Sequence, residues 1–158
     1  MARRPPVDPV SRTRRLAAAR RHIYALLETH ATPPLPIVVT KPLTFLPLVH
    51  GAPATLAAPL YYLADPEAAI QAVRTDTLDV ALRRLAPVAR LHVETYAAFL
   101  STHGEFFVWD PPGPFGWVRP ALAANGVQLE MRLESEAGTL AWGRSPESLE
   151  NRPKGGRP

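Results

Sequence analysis

Residues 60 to 79, LYYLADPEAAIQAVRTDTLD, constrain this chain more than any other stretch, because a strand and two helix starts are packed into twenty positions. Residues 60 to 64 form a short apolar run with two tyrosines, the composition a buried strand favours. Asp65 offers a carboxylate to free backbone N–H groups, Pro66 stands where a helix tolerates proline, and Glu67 lies in the positive first turn. A second helix start follows at Thr75, Asp76 and Thr77. A strand that turns at once into a helix is the unit of an α/β fold.

The flanking sequence repeats the pattern. Residues 13 to 29 carry Leu16, Ala19, Ile23, Leu26 and Leu27 mostly at steps of three and four, giving a helix with one apolar and one arginine-rich face that needs something to dock on. ATPPLP stops it, 37 to 40 is a first strand, and 43 to 49 is a short helix ended by Gly51 and Pro53. After the strand at 60 to 64, helices are expected at 66 to 74 and 77 to 85, with Pro87 closing the second, and another at 93 to 103 with Gly104 as its cap. Residues 106 to 110 form a third apolar strand, PPGPFG leads into a helix at 117 to 124, and 127 to 134 alternate apolar and polar, which marks a strand near an edge with one wet face. Glu136, Ala137 and Gly138 then turn the chain into a last strand at 139 to 142. The expected division is a disordered or loosely extended basic tail over 1 to 12, an amphipathic arginine-rich helix over 13 to 30, an α/β domain over 35 to 144 and a disordered polar tail over 145 to 158. The expected fold is a small three-layer α/β domain, its sheet mostly parallel in Rossmann-like or flavodoxin-like order, with a C-terminal antiparallel β-hairpin.

At 158 residues the chain suits one domain with a real core. The absence of cysteine removes disulfides, thiol nucleophiles and zinc–thiolate sites, and leaves the redox compartment open. Prolines at 33, 34, 36, 42, 47, 53 and 59 break up the apolar middle, so no window reaches the roughly 18 to 20 apolar residues of a membrane helix. The basic start has no apolar segment behind it, so it does not read as a secretory signal, and the chain as written is expected to stay in the cytoplasm. Charge is uneven: residues 1 to 21 carry a local +6, and the remainder a local −2. Arg3, Arg4, Arg12, Arg14 and Arg15 are the residues that would touch anionic lipid or nucleic-acid phosphates. No aromatic residue interleaves with the arginines of residues 1 to 21 and no DNA- or RNA-binding signature is present, which favours a solvated arm.

Reactive motifs are scarce. None of the serines at 11, 101, 135, 145 and 148 stands in G-x-S-x-G, and GPFG at 113 to 116 has neither the dinucleotide nor the Walker spacing. The histidines at 22, 30, 50, 92 and 103 make no H-x-x-x-H pair, so neither a metal nor a cofactor is expected. Asp76 and Asp79 read as helix caps rather than an acid–base pair, His50 as a surface group, and Trp117 as core; of Tyr61 and Tyr62, at least one should pack. No catalytic residue is assigned. In wound sheets ligands lie beyond the C-terminal strand ends at the switch in strand order, which would collect Thr40, Lys41, Asp65, Asp110 and the loop through Gly113 and Gly116.

The pieces VVTKPLTFLPLVHGAP, LYYLADPEAA, TDTLD and HVETYAAFL, with FFVWDPPGPFGWVRPALAANG as a looser match, resemble the extramembrane C-terminal region of multi-spanning bacterial glycosyltransferases of the aminoarabinose-transferase and protein-mannosyltransferase-like group. The resemblance spans residues 35 to 142, about two thirds of the chain. It implies an accessory or truncated domain on the outer face of the inner membrane, partnered by a membrane-embedded portion that transfers sugar from a polyprenyl-phosphate donor, with a divalent metal in some members. The family's catalytic acid lies in a loop of that portion, and no residue here matches it, so the resemblance implies a domain inactive by itself. The arginine-dense start runs against the positive-inside tendency for an outer-face domain, so on this resemblance the first twenty residues are expected to be a divergent or misread start, with the true open reading frame extending upstream. Two other readings stand beside it: an independent α/β small-molecule or nucleotide-binding module, and a basic-arm nucleic-acid binder.

Overall fold

The computed structural model describes residues 9 to 113 and 116 to 146, with side chains from residue 13 onward. The first helix, α1 (Pro9–His30), begins four residues before its expected start and takes in part of the stretch read as a loose tail. Of the arginines named for anionic contacts, Arg3 and Arg4 lie outside the described residues, Arg12 is described by its backbone alone, and Arg14 and Arg15 are exposed on this helix. Its C-terminal half docks: Leu27 is buried, Ile23 and Leu26 pack beside it, and the Tyr24 hydroxyl donates to the Leu48 carbonyl at 3.0 Å.

The chain continues through β1 (Ile37–Val39), α2 (Pro42–Gly51), a short α3 (Ala54–Ala57), β2 (Leu60–Leu63), α4 (Pro66–Val73) and α5 (Thr77–Ala89). It then runs through β3 (His92–Glu94), α6 (Tyr96–Thr102), β4 (Glu105–Asp110), α7 (Val118–Ala124), β5 (Gln128–Ser135) and β6 (Gly138–Arg144). Among the described residues six strands form one mixed sheet in the order β3-β2-β1-β4-β6-β5. The first four are parallel and the final hairpin is antiparallel, so the expected α/β architecture is the observed one.

Strand alternation divides the core. Ile37, Val39, Leu60, Tyr62, Phe107 and Trp109 face one side with α1, α2 and α5, while Val38, Leu63, Phe106 and Val108 face the other with α4, α6 and α7. Both faces of the central strands are buried, which is why they read as continuous apolar runs.

Four local expectations are corrected. The segment read as a helix from 93 begins with β3, which pairs with β2, and the helix starts only after Thr95, whose Oγ1 accepts from the Ala98 N–H at 3.3 Å. Pro87 lies inside α5 rather than closing it: Ala86 and Ala89 on either side pack on the core, and the helix ends at Arg90 in the left-handed conformation. In the edge strand β5 a register irregularity between Met131 and Leu133 shifts the alternation by one residue. Leu129 therefore packs with one core and Leu133 with the other, leaving Met131 46% exposed. At the C-terminus Ser145, assigned to the tail, is buried and its N–H donates to the Gly104 carbonyl at 2.9 Å. Among the described residues no helix is long and apolar enough to cross a membrane.

Candidate functional site

From β1 the chain winds outward through β2 to β3, while β4 lies on the opposite side of β1. The switch in strand order therefore falls between β1 and β4. The segments leaving these two strands part to opposite faces, α2 into one core and α7 into the other. A crevice opens where they separate, as the topology demands.

Its polar floor comes from the ends of the two strands. Thr40 is fully buried; its N–H donates to the Trp109 carbonyl at 3.0 Å and its Oγ1 to Asp110 Oδ1 at 2.5 Å. Arg119, from the first turn of α7, reaches Asp110 Oδ2 at 3.4 Å and donates to Thr139 Oγ1 at 3.1 Å. Lys41 donates its Nζ to the carbonyls of Pro111 and Gly113 and so ties the end of β1 to the loop after β4. Gly116 lies against this lysine: a Cβ there would stand 3.3 Å from Lys41 Cε. Gly138, at φ +143°, holds the hairpin turn so close that a Cβ would meet the Asp110 carbonyl oxygen at 2.7 Å.

Two lobes occupy the crevice. An apolar lobe of about 550 Å³ is lined by Pro42, Leu43, Tyr62, Val73, Leu78 and Trp117, with Asp79 on its wall. A polar lobe of about 470 Å³ holds Asp110, Arg119 and Gly116. Lys41 and Gly113 line both, so the lysine stands at the junction between them.

Of the four residues placed here from sequence, Lys41 and Asp110 line the lobes, while Thr40 is fully buried beneath them, bonded to Asp110, and lines neither. Asp65 sits at the end of β2 but does not line either lobe: its Oδ1 accepts from the N–H groups of Glu67 and Ala68, both at 3.1 Å, and caps α4. Its own N–H donates to Asp79 Oδ1 at 3.2 Å.

Asp79 is the residue that sequence reasoning misassigned. It does not cap α5, and Asp76, which stands at the N-cap position, makes no side-chain capping bond. Asp79 is 4% exposed and its Oδ1 accepts from the Tyr62 hydroxyl at 3.2 Å. Burial pushes its carboxyl above the usual carboxylate range, and the bonds from the Asp65 N–H and the Tyr62 hydroxyl oppose that rise. Burial, reinforced by the Asp79 charge, likewise raises the Tyr62 phenol. The Trp117 indole N–H acts on both groups without reaching hydrogen-bond geometry and is left buried without an acceptor. The signal for Asp79 was present in its spacing: it precedes Leu82 by three and Ala86 by seven, on the stripe that α5 turns to the core. Arg119 carried no comparable signal, since its partners Asp110 and Thr139 are brought to it by the sheet.

Tyr62 packs in the core beside Phe45 and also lines the apolar lobe, while Tyr61 lies on the opposite face among His92, Phe99 and His103. His50 is exposed in the last turn of α2. Among the described residues no group of three or more His, Asp or Glu side chains is placed to hold a metal ion. Comparisons with protein-family models, with curated proteins and with solved structures found no match to this chain.

Proposed function

We propose that this chain is a ligand-binding α/β module whose site is the two-lobed crevice between β1 and β4. The observation that carries the reading is the joining of an apolar lobe and a polar lobe through Lys41 at the switch point of the sheet, the place where wound sheets take their ligands. Each lobe falls within the roughly 300 to 1,000 Å³ of ordinary small-molecule sites. The polar side chains here are engaged in holding loops and strand ends, a binding arrangement rather than a nucleophile aligned with a base. Thermal melts against a panel of nucleotides, sugars and amphipathic acids test it. Stabilisation by one class, lost on Leu78→Asp, is the expected result, and no stabilisation across the panel would overturn it.

A second reading, an accessory domain of a membrane-embedded glycosyltransferase, is favoured by one specific feature. The segments that carry the resemblance, around TKPLT, LYYLADPE, TDTLD and DPPGPFGW, each contribute lining to this crevice through Lys41, Tyr62, Asp79 and Trp117. On this reading the module serves a partner in the membrane and has no turnover of its own. In-frame DNA upstream is expected to encode several membrane-spanning segments, and a stop codon directly before Met1 would contradict it. The nucleic-acid reading gains no comparable support, since the crevice lies within the α/β unit and not in the arginine-rich segment.

A further inference from the structure

We infer that the crevice receives one amphipathic anion, its carboxylate or phosphate head between Lys41 and Arg119 and its aliphatic or aryl body in the apolar lobe. The inference rests on the binding-module reading and adds to it the class of ligand.

Donors and acceptors around the crevice are unequal. Lys41 gives two of its three N–H groups to carbonyls, and the described bonds of Arg119 all run through Nη1. The ten-residue α2 follows Lys41, its N-cap, whose side chain makes no capping bond; Pro42 has no N–H and those of Thr44 and Phe45 donate to the Lys41 carbonyl, so the helix adds its positive end, rather than a row of free donors, where the lobes meet. Against these, both oxygens of Asp110 are already engaged, one by Thr40 and one by Arg119. At the polar end of the crevice two cations stand beside one carboxylate whose oxygens are both taken, and the donors they have left suit a guest that only accepts.

The orientation follows from the walls. Asp79 lies on the wall of the apolar lobe, so a negative head is disfavoured there and is directed to the Lys41 end. Most of the lobe's surface is apolar, with Thr44 and Thr75 also on its lining, and Leu43 and Leu78 at its mouth are 71% and 39% exposed. An apolar body seated beside them removes that surface from water.

Titration of the full chain with decanoate and decyl phosphate below their micellar concentrations, with decanol and acetate as controls, tests this. Both anions are expected to bind roughly tenfold more tightly than decanol, and acetate not measurably. Lys41→Met should abolish the preference for decanoate while decanol still binds. Leu78→Asp, at a position 39% exposed, should weaken decanoate by roughly tenfold or more while the unfolding transition is retained. Decanol binding as tightly as decanoate, or a preference that survives Lys41→Met, would overturn the anionic head and leave the module reading standing; the same holds if other compounds stabilise the chain and neither decanoate nor decanol does. Absence of stabilisation by any compound would remove both. Sedimentation with phosphatidylglycerol–phosphatidylcholine vesicles separates the sources of the head. Vesicle binding lost on Lys41→Met assigns it to a membrane lipid, and decanoate binding without vesicle binding assigns it to a free amphiphile. Vesicle binding indifferent to Lys41→Met but lost on Arg14→Gln with Arg15→Gln, with no Lys41-dependent binding of decanoate, belongs to α1 and would contradict the inference.

Discussion

Strands β4 and β5 share a neighbour, β6, yet they are opposite kinds of strand. In β4 four consecutive residues, Phe106 to Trp109, are buried because helices cover both faces; in β5 no residue is fully buried, and an irregularity shifts the alternation midway. The difference teaches where this fold keeps its specificity. Stability is concentrated in the central strands whose ends build the crevice, while the edge strand finishes the sheet and is blunted against further pairing by charge and by its irregular register.

The largest expected effect breaks the comparison most directly. Phe107→Ala, at a position 2% exposed, should cost about 3 to 5 kcal/mol in urea unfolding, whereas Met131→Ala should stay within about 0.5 kcal/mol. Similar losses at the two positions would erase the distinction. Next, Gly138→Ala should cost on the order of 2 kcal/mol, because the positive φ and the closeness of the Asp110 carbonyl both resist a methyl group. A neutral outcome there would mean that the hairpin turn does not press on the end of β4. A smaller loss, about 1 kcal/mol, is expected for Asp65→Ala, which removes the α4 cap, with ligand affinity retained. Affinity lost along with the cap would return Asp65 to the site.

Asp79 gives a pH signature that the edge strand cannot. Its carboxyl is raised in the folded chain, so the native state holds the proton more tightly than the unfolded state does, and stability falls as pH rises from the ordinary carboxylate pKa through the raised one. Asp79→Asn removes this titration while keeping an acceptor for the Tyr62 hydroxyl and the Asp65 N–H. In melts from pH 3 to pH 8 the variant should gain on the parent as pH increases. Parallel curves would show that the carboxyl does not titrate abnormally.

The same contrast explains what the sequence made legible. Residues 37 to 39, 60 to 63 and 106 to 109 announce themselves because burial on both faces leaves an unbroken apolar run. Thr40, Lys41 and Asp110 follow from them, since topology alone brings the ends of β1 and β4 together. Two things were hidden. Strand β3 is three residues long and half exposed, and Val93, Tyr96, Phe99 and Leu100 mimic a helical stripe across the Thr95 cap. Asp79 reads as a cap because it is acidic and near a helix start; its burial depends on Tyr62 and Trp117, which tertiary folding supplies.

The measurement that tests the central claim most directly is a residue-resolved amide and indole NMR titration with decanoate. Shift changes concentrated at Thr40 to Thr44, Thr75 to Asp79, Gly113 and the Trp117 indole are predicted. Changes confined to α1 or to β5, with the crevice silent, would contradict it.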